Sequence, residues 1–174
     1  MKNSHFKSLF LGVVSVVISI YASSVFAWAD KFDVVELNTL CEFKPESQCS
    51  WARKMGAQLA GVDMHNSSMA SIRFDGANLQ GANLKDSNMH ISNLSKANLM
   101  LANLEGVHLH ASNLHGANLT MANLRNANLL DADLTDANLL GANLQGAILI
   151  SARLDNATWT DGRICAVGSR GECK

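Results

Sequence analysis

The sequence predicts a solenoid of very short repeats behind an export leader. Three observations carry this. A five-residue period runs without insertion through most of the chain. A positively started apolar run at the N-terminus ends in small residues. The composition is 48% hydrophobic but only 6% aromatic, so the core must be aliphatic. The 174 residues are about enough for one domain. Charged residues make up 17%, below the usual quarter, yet the chain is too apolar to be disordered.

Residues 1–29 have the layout of a secretory signal peptide. Lys2 and Lys7 open it, an apolar run extends from about Leu9 to Tyr21, and Val25-Phe26-Ala27 or Ala27-Trp28-Ala29 offers a cleavage site. The alternative is an uncleaved anchor, but the apolar run is short for a membrane span. Cleavage leaves no stable anchor and places the chain in the periplasm or outside the cell, where disulfides persist. The whole chain carries 14 Lys+Arg and 15 Asp+Glu, a net charge of -1; losing Lys2 and Lys7 leaves 12 against 15, or -3. Neither value suits a strongly basic nucleic-acid binder.

The repeat begins at Ala57. Its central residues are Leu59, Met64, Met69, Phe74, Leu79 and every fifth residue to Leu154, Trp159 and Ile164. All 22 centres are apolar and 16 are Leu; 14 of the residues two positions earlier are Ala, and 12 of those one position earlier are Asn. A period of five fits neither the 3.6 of a helix nor the 2 of a strand. It fits a solenoid that turns a corner at each unit and buries its apolar side against its neighbours. Ala suits a close approach to the axis, Asn bonds to its own backbone in turns, and Gly recurs two positions after the centre (Gly61, Gly76, Gly81), where a turn favours it.

Units such as Ala117-Asn118-Leu119, Ala122-Asn123-Leu124 and Ala132-Asp133-Leu134 closely resemble the A(D/N)Lxx pattern of the pentapeptide-repeat proteins. The resemblance covers residues 57–166. It implies an all-β fold, a right-handed quadrilateral parallel β-helix with one unit per side and 20 residues per coil. The 22 units then make about five coils, roughly 26 Å long. Exposed strand edges at both ends call for caps. Residues 30–56 are expected to form the N-terminal cap, with a short helix over Asp33–Leu40 and Trp51 and Met55 as plugs. Residues 167–174 form the C-terminal cap or tail, and Trp159 and Ile164 are expected to close the last coil. Four cysteines allow three pairings. With one C-x7-C pair at each end of such a stack, only the local bridges Cys41–Cys49 and Cys165–Cys173 fall within disulfide reach.

Reading columns 20 residues apart, one face carries Met100, Leu101, Met121 and Leu140, and the opposite face carries Ile91, Leu130, Ile148 and Ile150. These residues are either scattered surface hydrophobes or a surface for a protein partner or for self-association. His90 and His110 stack, with His108 beside them. Such imidazoles can bind a transition metal or respond to pH. No further ligand completes a set beside them, so they are taken as solvated and neither metal nor cofactor is assigned. Asp75, Asp133, Asp136 and Asp155 share a side with Arg73 and Arg153 and form a solvated charged face. No phosphate loop, H-E-x-x-H or G-x-S-x-G is present, so no catalytic residue is assigned.

The leading functional expectation is an exported, non-enzymatic interaction or structural module of the cell envelope. The alternative implied by the resemblance is a DNA-mimicking, gyrase-binding protein of the quinolone-resistance type. That reading requires a dense negative surface, which the interspersed Lys85, Lys96 and Arg125 oppose. An enzyme stands third. Expression with the native leader should yield a periplasmic or secreted chain beginning at Trp28 or Asp30. Its intact mass should rise by four hydrogens on reduction; a full-length, reduced, cytoplasmic product would show that the leader had been misread.

Overall fold

The computed structural model describes residues 41–174; the expected leader and the Asp33–Leu40 helix lie outside the described residues. From Gln48 to Thr158, the residue before each centre forms a parallel bridge with the residue 20 positions on, beginning with Gln48–Ser68 and ending with Asn138–Thr158. Two backbone bonds make each bridge. The Leu79 N–H donates to the Asn98 carbonyl at 2.8 Å, and the Asn98 N–H donates back to the Ala77 carbonyl at 2.9 Å. Each coil is therefore hydrogen-bonded to the next on all four sides.

Side 1 has the centres Cys49, Met69, Met89, Leu109, Leu129 and Leu149. Side 2 has Lys54, Phe74, Leu94, Leu114, Leu134 and Leu154; side 3 has Leu59, Leu79, Leu99, Leu119, Leu139 and Trp159; side 4 has Met64, Leu84, Leu104, Leu124 and Leu144. A four-residue turn makes each corner. At one, the Ala97 N–H returns to the Leu94 carbonyl at 3.0 Å while Lys96 takes a φ of 57°. The corner residue is left-handed throughout the stack, which is why Gly, Asn and Asp recur there.

The centre points inward with the residue two before it. Every centre from Met64 to Leu139 is buried. At about 1.5–3 kcal/mol per buried aliphatic side chain, this column is the main source of stability. Where Ser replaces Ala in the inner position it bridges coils. Ser112 Oγ accepts the Ser92 N–H at 3.2 Å and donates to the Met89 carbonyl at 2.8 Å, so the buried hydroxyl is fully used.

The ends depart from the sequence-based expectations. The ladder already includes Gln48 and Arg53, two units before Ala57 and inside the stretch assigned to the cap. Those units were hidden because their centres are Cys49 and a charged residue, Lys54. Trp51 and Met55 do not plug the first coil: their register places both outside, at corners, and both are exposed. Phe43 covers that end instead, with its ring 6.1 Å from Phe74 and Lys54 Nζ 5.7 Å above it.

At the other end Trp159 packs against the core, but Ile164 is exposed and is not a centre. The chain reverses through Asp161-Gly162, and the tail runs back antiparallel over the last coil, with bridges Thr158–Ile164 and Arg153–Arg170. Disulfides Cys41–Cys49 and Cys165–Cys173, each with Cα atoms 4.8 Å apart, hold the two ends. Leu109→Ala, a truncation in mid-stack, should cost about 2–5 kcal/mol in urea unfolding. A loss under about 1 kcal/mol would mean that the coil collapses around the cavity.

Candidate partner-binding ridges

The apolar outer residues lie on two diagonally opposite corners rather than on flat faces. Leu101 and Met121 stack at the corner between sides 3 and 4, flanked by Met100 and Leu140. Ile91, Leu130 and Ile150 occupy the corner between sides 1 and 2, and Ile148 stands on side 1 just before it. Met100 and Leu130 are half-buried; the other six are exposed. Met121 folds over the space above Gly141, where its Cγ would lie 3.4 Å from a Cβ.

The backbone at these corners separates a ridge from scattered hydrophobes. Leu101 (φ 59°), Met121 (φ 56°) and Ile91 (φ 57°) occupy the left-handed position that Gly, Asn or Asp fills at most other corners. A side chain with a Cβ costs roughly 1–2 kcal/mol there, and a β-branched one is a particular outlier. The fold gains little in return, because the three side chains are 59% (Ile91), 54% (Leu101) and 63% (Met121) exposed. Trp51 sits in the same column as Ile91, two coils earlier, at φ 67° and 68% exposed. Ser71 stands between them in the column, so Trp51 is a separate exposed apolar corner. Its spacing of 40 residues from Ile91 was legible once the register was carried into the first coil.

Two polar ladders stiffen the first ridge from both sides. On side 3, Asn78 Nδ2 donates to Gln58 at 3.4 Å, Asn98 to Asn78 at 3.2 Å and Asn118 to Asn98 at 3.1 Å. On side 4 the series is Asn83 to Asp63 at 2.8 Å, Asn103 to Asn83 at 3.1 Å and Asn123 to Asn103 at 3.1 Å. The same Asn oxygens accept the N–H two residues on, as at Met100, so each side chain is held along the coil and between coils. A surface fixed in this way loses little entropy on binding.

His90, His108 and His110 are exposed or half-buried. His90 Nδ1 lies 2.7 Å from Asn88 Oδ1, and His110 Nε2 lies 3.7 Å from Asp131. Among the described residues no three His, Cys, Asp or Glu gather into a metal site. The charged residues pair locally: Arg73 with Asp75 at 3.0 Å, Arg153 with Asp133 at 3.4 Å and with Asp155 at 3.8 Å, and His115 with Asp136 at 3.7 Å. A hydrogen bond to the His65 ring holds the Asp63 carboxyl below its ordinary pKa. For Asp133, burial pushes the pKa up, but hydrogen bonding from Thr135 and the Arg153 charge outweigh it, and the net shift is downward. Among the described residues no helix is long and apolar enough to cross a membrane.

A depressed carboxyl pKa stabilises the fold above the unfolded-state value, and that contribution disappears as pH falls through the folded value. Asp133→Asn keeps the turn acceptor that most units use and removes only the charge. It should lose less stability than the wild type between about pH 7 and about pH 3. Equal losses in urea unfolding would show that Asp133 contributes nothing on the acid side.

The sequence matches the family model for pentapeptide repeats over residues 55–90, 92–129 and 127–158. No curated protein sequence is significantly similar. Among solved structures, a pentapeptide repeat protein, Rfr23, from the cyanobacterium Cyanothece 51142 is 26% identical, with a TM-score of 0.51 over 64% of this chain and 90% of that one. HetL, a pentapeptide repeat protein involved in heterocyst differentiation regulation in Nostoc sp. strain PCC 7120, is 30% identical over 68% of this chain, with a TM-score of 0.41. The match spans only 52% of HetL. QnrB1, a plasmid-mediated fluoroquinolone resistance protein, is 18% identical over 72% of each chain, with a TM-score of 0.33. The five-residue period, the 20-residue coil and the family match together make this chain a member of the pentapeptide-repeat family, folded as a right-handed quadrilateral β-helix.

Proposed function

We propose that this protein is an exported, non-enzymatic scaffold of the cell envelope that docks a protein partner on its apolar corner ridges. The observation that carries this reading is the placement of Leu101, Met121 and Ile91. Large apolar side chains occupy left-handed corners where Gly would relieve strain, and they are exposed. A cost with no folding return points to a use outside the fold. The flanking Asn ladders hold the ridge rigid, as suits a preorganised surface. The two disulfides and the leader-like N-terminus favour an oxidising compartment. A DNA-mimicking role has no comparable support, since cations pair with the acids along side 2.

The double variant Leu101→Gly/Met121→Gly tests the ridge. Relief of the left-handed strain should keep stability within about 1 kcal/mol of wild type or raise it. An envelope protein captured by the wild type should be lost from the double variant and kept by Lys96→Ala at another corner. Retention of the same partner by the double variant would overturn the assignment.

A further inference from the structure

The C-terminal end of the stack is only half closed. The tail seals sides 2 and 3. The Ala152 carbonyl accepts the Gly171 N–H at 3.0 Å, the Leu154 N–H reaches the Ser169 carbonyl at 3.1 Å, the Ala157 carbonyl accepts the Cys165 N–H at 2.9 Å, and the Trp159 N–H reaches the Arg163 carbonyl at 2.8 Å. On sides 4 and 1 the equivalent groups are the Ala142 and Ala147 carbonyls and the Leu144 and Leu149 N–H groups. None of the four has a backbone partner among the described residues. The core is open there too. Leu144 and Leu149 are only half-buried, unlike every centre from Met64 to Leu139, and Ile148 and Ile150 are exposed around a shallow recess bordered by Arg170 and Glu172. An edge of this kind, bare and apolar, is a template for strand pairing.

We propose that this half-open end is a dimerisation surface, on which the tail of a second copy completes the last coil of the first. The symmetry of the end supports a second copy as the occupant. A two-fold axis perpendicular to the stack, passing through the corner between sides 1 and 2 and the corner between sides 3 and 4, exchanges side 1 with side 2 and side 3 with side 4. Each tail, lying over sides 2 and 3 of its own copy, then falls over the open sides 1 and 4 of the other. Two half-layers make one complete layer, and the contact is isologous and closed.

The hydrogen bonding fits as well. The tail bonds its own coil through Arg163, Cys165, Ser169 and Gly171. By strand alternation, the N–H and C=O groups of Ile164 and Arg170 face the opposite edge, and they have no backbone partner among the described residues. The tail runs antiparallel to its own coil, and the two-fold axis reverses it again. It therefore runs parallel to the partner's coil, the sense every bridge in the stack already uses. Ile164 takes the place of the next-coil Asn over side 4: its N–H meets the Ala142 carbonyl, and its carbonyl meets the Leu144 N–H. Arg170 does the same over side 1 with Ala147 and Leu149. A free peptide would have to bend around the corner at Gln145-Gly146 on binding. The tail already carries that bend, tied by Cys165–Cys173. The axis passes through the two apolar corners, so each ridge continues from one copy into the other.

Sedimentation of the protein expressed from the full-length sequence should show a dimer down to low micromolar concentration. Amide exchange at Leu144, Leu149, Ile164 and Arg170 should be slow in the dimer. Ile164→Pro removes the outward N–H and no hydrogen bond to its own coil, and Ile148→Lys places a charge at the open edge. Either should give a monomer with the Cys165–Cys173 disulfide intact and these amides exchanging fast. The ridge variant Leu101→Gly/Met121→Gly should stay dimeric, which separates this proposal from the platform reading. A monomeric wild type overturns it, as does a dimer that survives both edge variants.

Discussion

The structure depends on a backbone ladder that closes every 20 residues. Each unit contributes one N–H to the coil before it and two to the coil after it, from its centre and its corner residue, and one further N–H closes the turn within the coil. This allows five-residue segments, too short to persist as isolated strands, to form a stable sheet on four sides at once. It also explains why no insertion interrupts the repeat between Ala57 and Thr158. One extra residue would shift every later centre off the axis and turn its apolar side chain outward, as a register slip does in any sheet.

The corners are where this regularity admits choice. The inner positions of the middle coils are held to Leu, Met, Phe, Ile, Val, Ala or Ser by packing and by the coil-bridging hydroxyls. On sides 3 and 4 the side-chain ladders favour Asn at the bridge positions. The left-handed corner residue faces neither demand; it needs only to tolerate its backbone, and Gly, Asn and Asp do so most easily. Where Trp51, Ile91, Leu101 and Met121 stand there instead, local preference and residue identity disagree. Such disagreement in an otherwise consistent repeat marks positions whose use lies outside folding.

The ends obey different physics from the middle. A parallel stack has no natural stop, and each end must dispose of a bare core and a row of backbone groups. Phe43, Lys54 and a disulfide occupy the first coil. At the last coil a reversal at Asp161-Gly162 sends the tail back across two of the four sides. The asymmetry between a covered half and an open half is the least repeat-like feature of the described chain.

Much was legible in the order of residues. The period, the inward Leu and Ala columns, the turn role of Asn and Gly and the apolar columns at 20-residue spacing all follow from side-chain chemistry recurring at a fixed interval. Tertiary structure decided what the repeat could not encode. A lysine at a centre position hid the first units, because pattern alone classes Lys54 as outside. Ile164 kept the period while the chain left the helix, because a reversal at Gly162 depends on what the last coil leaves unpaired rather than on spacing. The apolar columns were readable as columns, but only the backbone showed that Leu101, Met121 and Ile91 stand at left-handed corners. A backbone angle belongs to the closed coil, and no single unit carries it alone.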